Sequence, residues 1–332
     1  MILTAGSRTK LSGMLLLVGV LSGCRPKSEP VTIGIQTSPA MALVMVAKDK
    51  LFFQEEGVDA ELKEFTAGKF ALQAFLGGSL DFAVAGEVPV TLATLQGERF
   101  LVLCQVVERT IKEVRVVARR DGNITDPSAY FKKTKRKLAT SFGGGPEFFT
   151  YTFLKKIGVT PDEVQIVSQQ PEEMPFAIAN GSVDAVSVFD PAAFLAEKQL
   201  GDKGITFADS SIYSELYVIT VKQQTIDKNP ALAEKIIRAL VRARQFIQNS
   251  PDDAKNIVVR YTKLDRGTVD GIWNNFVFAP AITPQLLEYQ SQEAAWAREK
   301  GDIPQNAPVP DFRARLYPGP LRKVQPEAVR IP

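Results

Sequence analysis

Two stretches that echo each other decide the fold: FLGGSLDFAVAGEVP at residues 75–89 and IANGSVDAVSVFDP at residues 178–191. Both close a helical pattern on Gly-Ser, continue through an apolar residue and an aspartate into a short apolar strand, and end on an acid and a proline. The acid Glu87 lies six residues beyond Asp81, and the acid Asp190 lies six beyond Asp184. One plan used twice predicts two lobes. In each, the strand runs out into a helix within a few residues, and proline suits a first helical position because the N–H it lacks would have no partner there.

Working outward, strand-like and helical runs alternate from about Val31: VTIGIQ, MALVMVAKDKLFFQEEG, VDAELKEF, FALQAFLGG, DFAVAG and FLVLCQVV. A second series leads from RKLATSF through EFFTYTFLKKIG, EVQIVSQ and MPFAIANG to VDAVSVF. This rhythm defines an α/β class. About 300 residues exceed what one hydrophobic core usually holds, which again favours two lobes. After LYVITVKQ the chain turns mostly helical, and its longest periodic segment carries the apolar stripe Leu232, Ile236, Leu240 and Ile247 between Pro230 and Pro251. From Gly301 onward, seven prolines in 32 residues predict an extended strap or a disordered tail. The expected divisions are a signal at 1–23, a first lobe from 30–115 plus 220–300, a second lobe at 116–219, and a proline-rich extension at 301–332.

The opening residues read as an address. Arg8 and Lys10 precede an apolar stretch at residues 11–20 that is too short to span a bilayer. Leu21-Ser22-Gly23-Cys24 resembles the lipobox of bacterial lipoproteins, which implies acylation of Cys24 and a tethered, exported protein; the plainer alternative is a signal peptide with a stray cysteine. Several acyl chains on one terminus anchor firmly. Beyond Cys24 no apolar run approaches membrane length, and Cys104 reads as a small buried apolar residue with no disulfide partner. A net charge of +3 makes no case for nucleic acid, and the basic run at 132–137 reads as a solvated loop. The chain contains no histidine. That removes Ser-His and Cys-His nucleophile pairs, the commonest zinc ligand and the usual acid/base group near neutral pH. No catalytic residue, metal or cofactor is expected, and a binding role is favoured over an enzymatic one.

Candidate binding positions gather where strands give way to helices, the edge at which open α/β sheets hold ligands. They are Ser38, Gly68, Gly86 with Glu87, and the loop Gly143, Gly144 and Gly145. The loop lacks the Lys-Ser/Thr ending of a nucleotide cradle. Taken alone it reads as a tight turn; in the company of the other helix starts it reads as the wall of a pocket. Glu147 follows it and suits a helix's first turn on electrostatic grounds alone. The symmetric placement of Glu87 and Asp190 points them at a ligand's N–H or ammonium groups. Phe142 and Phe189 stand at loop starts where one face can stack on a ligand, whereas Phe148 and Phe149 read as core. Arg109 is the cation placed near the cleft, with a surface or structural role as the alternative.

Together the lipobox, VTIGIQTSPA, AKDKLFFQEEGVDAELKEFTAG, GGSLDFAVAGEVP, GGGPEFF and GSVDAVSVFDP resemble, over roughly residues 30–250, the substrate-binding lipoproteins of ABC importers for nitrate, sulfonates, taurine and thiamine-precursor pyrimidines. The resemblance implies a periplasmic-binding-protein-like (type II) fold, with a hinge at about 114–119 and 216–221 and a ligand between the lobes. Its pocket positions map onto Ser38, Gly68, Gly86, Glu87, Gly143, Gly144, Gly145, Phe189 and Asp190. Two positions depart from the family pattern, which often has Asp at Glu87 and Trp at Phe189. The partners implied are a small-molecule solute, a membrane permease and its cytoplasmic ATPase, with the chain acting as a lipid-anchored monomer. The expected ligand is a small polar organic solute, sulfonate- or taurine-like or aminopyrimidine-like. A tethered sensor of the same fold is the alternative. A pyrimidine-forming enzyme is disfavoured, because the resemblance there implies an essential histidine.

Overall fold

The computed structural model describes residues 1–2, 30–209 and 211–331, so most of the signal stretch and Cys24 lie outside the described residues. Among the described residues the strands form two sheets. Strands β1 (Val31–Gln36), β2 (Ala60–Phe65), β3 (Phe82–Gly86) and β4 (Leu101–Thr110) belong to the first. Strands β5 (Arg115–Arg119), β6 (Lys137–Thr140), β7 (Gln165–Ser168), β8 (Ala185–Val188) and β9 (Gly204–Phe207) make the second, in the order β7-β6-β8-β5-β9. The chain then returns to the first sheet with β10 (Tyr217–Val221) and β11 (Phe276–Ala281), giving the order β11-β4-β10-β3-β1-β2.

The echo in the sequence is an echo in space. β3 pairs parallel with β1, and β8 pairs parallel with β6. Both are continuous apolar runs and both are wholly buried, as a strand covered on two faces requires. The aspartate preceding each strand does the same work. Asp81 accepts the backbone N–H and the hydroxyl of Thr32 at 2.9 Å each. Asp184 accepts the N–H of Lys137 at 2.8 Å. Each carboxylate satisfies a backbone donor at the start of the neighbouring parallel strand.

The segments expected as hinges are internal strands of the two sheets. Arg115–Arg119 is β5 and Tyr217–Val221 is β10, and the chain crosses between sheets just before each, at 111–114 and 208–216. Both runs are rich in β-branched residues, and buried antiparallel pairing on both sides claims them as strands. The two passages lie side by side. The Thr110 N–H donates to Ser214 Oγ at 2.9 Å, the Ser214 hydroxyl returns to the Thr110 carbonyl at 2.8 Å, and the Ser214 N–H reaches Tyr289 Oη at 3.0 Å.

The helix Leu232–Asn249 buries the stripe read from its periodicity and packs against the helix Ala42–Asp49 on the first sheet. Beyond it the proline-rich segment is an ordered strap. Leu316 bridges to Val102 and Val329 bridges to Ile282, with Tyr317 N–H to Val102 O at 2.9 Å and Ile282 N–H to Ala328 O at 2.9 Å. Among the described residues no helix is long and apolar enough to cross a membrane.

Candidate functional site

The carboxyl ends of the parallel strands of both sheets face each other across a narrow cleft. Gln36, Gly68, Lys69, Gly86 and Pro89 line it from the first lobe, Ser141, Gly144, Gly145, Pro146 and Phe189 from the second, and Glu215 from the passage between them. As closed here the space is about 20 Å³, room for a single water. A solute of several heavy atoms enters only when the lobes part. Among the contacts that hold the lobes together, three lie close to the cleft. Lys69 Nζ donates to Ser141 Oγ at 3.1 Å and to the Phe142 carbonyl at 2.8 Å, Lys300 Nζ reaches Glu147 at 2.8 Å, and Asn275 Nδ2 reaches Asp190 at 2.7 Å.

Glycine is required where the helix starts approach the passage. A Cβ on Gly86 would lie 2.6 Å from Glu215 Oε1, and one on Gly145 would lie 2.7 Å from the same atom and 2.6 Å from Tyr213 Oη. Gly143 has φ +76°, which opens the turn and lets its N–H donate to Glu147 at 2.7 Å. Glu147 is therefore turned back on its own loop and on Lys300, so its structural role is the one realised. Phe148 and Phe149 are core, and Phe148 meets Tyr213 edge-on at 5.3 Å.

The echo acids do not face the cleft. Both are fully buried, and each pins one of the passages. Glu87 accepts from Tyr213 Oη and from the Leu216 N–H at 2.8 Å, in the passage 208–216. Asp190 pairs with Arg115 at 3.0 Å, and Arg115 also donates to the carbonyls of Lys112 at 2.7 Å and Glu113 at 3.1 Å, in the passage 111–114. Burial pushes the Glu87 carboxyl up to about 7, against the pull of its Tyr213 hydrogen bond. It pushes Asp190 up to about 6, against the pull of Arg115. For Arg115 the balance runs the other way: burial works to lower it, but the Glu197 and Asp190 carboxylates raise it.

Gly68, Gly86, Gly144, Gly145 and Phe189 thus share one lining. The others sit elsewhere. Ser38 caps the turn Pro39–Met41 through the Ala40 N–H at 3.3 Å. The Phe142 ring is 38% exposed, and its carbonyl, not its ring, reaches across the cleft. Arg109 lines a different cavity of about 580 Å³, with Thr283, Glu288 and Arg330 beside the passages, because the end of β4 projects away from the cleft. The residues missed are Lys69 as a cross-cleft donor, Tyr213, and the buried acids Glu113, Glu215 and Glu293. A signal existed for two of them: Glu113 and Glu215 each stand just ahead of an apolar β-run, where an acid is buried only if something holds it there. Among the described residues no group of acids or thiols is arranged to hold a metal ion.

Two α/β lobes joined by paired passages, with strand ends and helix starts opposed across one cleft, define a two-lobed binding-protein fold. The NMT1/THI5 like family model matches residues 38–254, and the chain belongs to that family. The taurine-binding periplasmic protein of Escherichia coli K12 is 25% identical over 291 residues, covering 82% of this chain and 88% of the relative. Two solved structures share the fold. The alkanesulfonate-binding protein SsuA from Xanthomonas axonopodis pv. citri, bound to MOPS, superposes with a TM-score of 0.74 at 18% identity, covering 87% of this chain and 98% of that one. The periplasmic nitrate-binding protein NrtA from Synechocystis PCC 6803 does so with a TM-score of 0.70 at 14% identity, covering 90% and 88%.

Proposed function

We propose that this chain is the solute-binding component of an ABC importer, exported and held at a membrane surface by lipid on Cys24. It captures a small polar organic solute, taurine- or sulfonate-like or aminopyrimidine-like, and presents it to a membrane permease driven by a cytoplasmic ATPase. The carrying observation is the cleft between two lobes that are linked by the passages and clasped across it by Lys69. A solute shifts such a pair of lobes toward closure by as much as it binds the closed form better than the open one. The helix starts of both lobes meet at the cleft and provide that difference, and no bond in the solute need change. The family membership and the taurine-binding relative support the transport role.

A thermal-shift panel of sulfonates, aminosulfonates, aminopyrimidines, nitrate and amino acids tests the reading. A true solute at a hundred times its dissociation constant adds about 2.7 kcal/mol, or about 4 °C for a chain of this size. No shift across the panel, and no small molecule released on denaturing the purified protein, would overturn it.

A further inference from the structure

We propose that the cleft takes an organic cation, a protonated amine or amidine, with the Glu215 carboxylate as its counter-ion. This rests on the solute-binding reading and names the chemistry of the solute. Glu215 lines the cleft, is 4% exposed, and its Oε2 has no hydrogen-bond partner within the protein. Its Oε1 is wedged against Gly86 and Gly145, at the first turns of the helices Glu87–Leu95 and Gly145–Lys156. Helix starts are where an anionic solute would bind. Here the chain's own carboxylate already stands between the two, and Glu87 and Glu147 occupy their first turns.

The buried carboxyls behind the wall point the same way. Glu113 and Glu293 are buried with unpartnered carboxyl oxygens, and Tyr217 Oη donates to Glu113 at 2.8 Å. Arg115 is ion-paired with Asp190 and Glu197 and Lys300 with Glu147 and Asp302, while Lys69 on the lining is held by the neutral Ser141 hydroxyl and Phe142 carbonyl, and burial works to lower its pKa. A cation entering the cleft stabilises the ionised form that burial disfavours in these acids, whereas an anion would oppose it. Glu215 is the carboxylate on this lining, and one carboxylate suits an ammonium or amidinium better than a metal ion that needs several oxygen ligands. Phe189 lies on the same wall.

Burial, reinforced by Glu113 and Glu87, raises Glu215 well above the usual carboxylate range, with the nearby Tyr217 hydroxyl pulling the other way. The groups facing this network are Glu87, Glu113, Glu293, Tyr213 and Tyr217, with Lys69 on the same lining. A cation favours the ionised carboxylate, so its entry expels a proton and its affinity rises with pH, by up to about tenfold per unit for each proton released.

Calorimetry and thermal shift on the purified protein test this, with acetamidine and ethanolamine against methanesulfonate and isethionate at matched ionic strength. Acetamidine or ethanolamine is expected to raise the melting temperature, to bind more tightly at pH 8 than at pH 6, and to release protons, seen as heats that depend on the buffer. Glu215→Gln is expected to weaken that binding about 10- to 100-fold, the loss of one charge-assisted hydrogen bond. If Glu215→Gln fails to fold, proton release by the wild type decides the matter. Stabilisation by sulfonates alone, undiminished in Glu215→Gln, would overturn the cation assignment and leave the solute-binding reading standing. Silence from both classes would overturn both.

Discussion

Gly145→Ala separates closure of the lobes from their stability. A methyl added there would lie 2.6 Å from Tyr213 Oη, 2.7 Å from Glu215 Oε1 and 2.8 Å from Glu215 Cδ. None of these atoms can easily retreat. Tyr213 is held by Glu87, and Glu215 is backed by Gly86. Overpacking of this kind costs about 1 to 3 kcal/mol. It acts only where Gly145 meets the passage, that is, in the closed form. With the lobes apart the substitution is mildly favourable, since alanine in a helix is better than glycine by up to about 1 kcal/mol. The closed form should therefore lose roughly 5- to 140-fold against the open one, at 1.4 kcal/mol per tenfold, while the melting temperature stays level or rises. Small-angle scattering should show a larger radius of gyration than in the wild type. Gly143→Ala is the control: its φ of +76° makes alanine strained, yet a methyl there meets nothing within 4 Å. It should lower the melting temperature without opening the lobes. Superimposable scattering from wild type and both variants would refute the reasoning.

Two further predictions concern the buried acids. Glu87 rises from 4.5 to about 7 in the folded chain, so folding holds its proton more tightly than the unfolded chain does. The resulting stability is complete below pH 4.5 and is lost as pH rises through about 7, a loss of about 3 kcal/mol. The wild type should melt several degrees higher at pH 5 than at pH 7.5, and Glu87→Gln should narrow the difference without abolishing it, since Asp190, Glu113, Glu215 and Glu293 are raised too; parallel pH profiles would count against this account. Lys300→Met leaves the buried Glu147 carboxylate with only the Gly143 N–H. Because Lys300 is itself partly exposed, the expected destabilisation is about 2 kcal/mol, below the range for a fully buried pair, and a melting temperature unchanged by the substitution would contradict it.

The lobes were legible because their signals are local. Asp81 and Asp184 each precede a run of apolar residues that can hardly be anything but an interior strand, and the repeat of that pattern is visible without any long-range knowledge. The glycine loop was legible for the same reason. The roles of Glu87 and Asp190 were not. Their partners Tyr213, Leu216, Arg115 and Asn275 lie 126, 129, 75 and 85 residues away along the chain, and no spacing announces such pairings. The chain crosses between sheets just ahead of β5 and β10, at the near edge of the expected hinges, and the exact bounds were not legible because a buried antiparallel strand and a connecting segment both read as short apolar runs. The strap was one of two readings of its prolines, and sequence could not choose between them because Tyr317 and Arg330 find backbone partners one at a time.

The position of β10 also sets the order in which the molecule can be completed as it is synthesised. β10 lies between β3 and β4, so the first sheet stays split until residue 221 has been made, and its flank is finished only by β11 and the strap near the end of the chain. The second sheet draws all its strands from residues 115–207. On a ribosome, the lobe encoded in the middle is ready first. The lobe built on β1 waits, unfinished, until β10, β11 and the strap have been made.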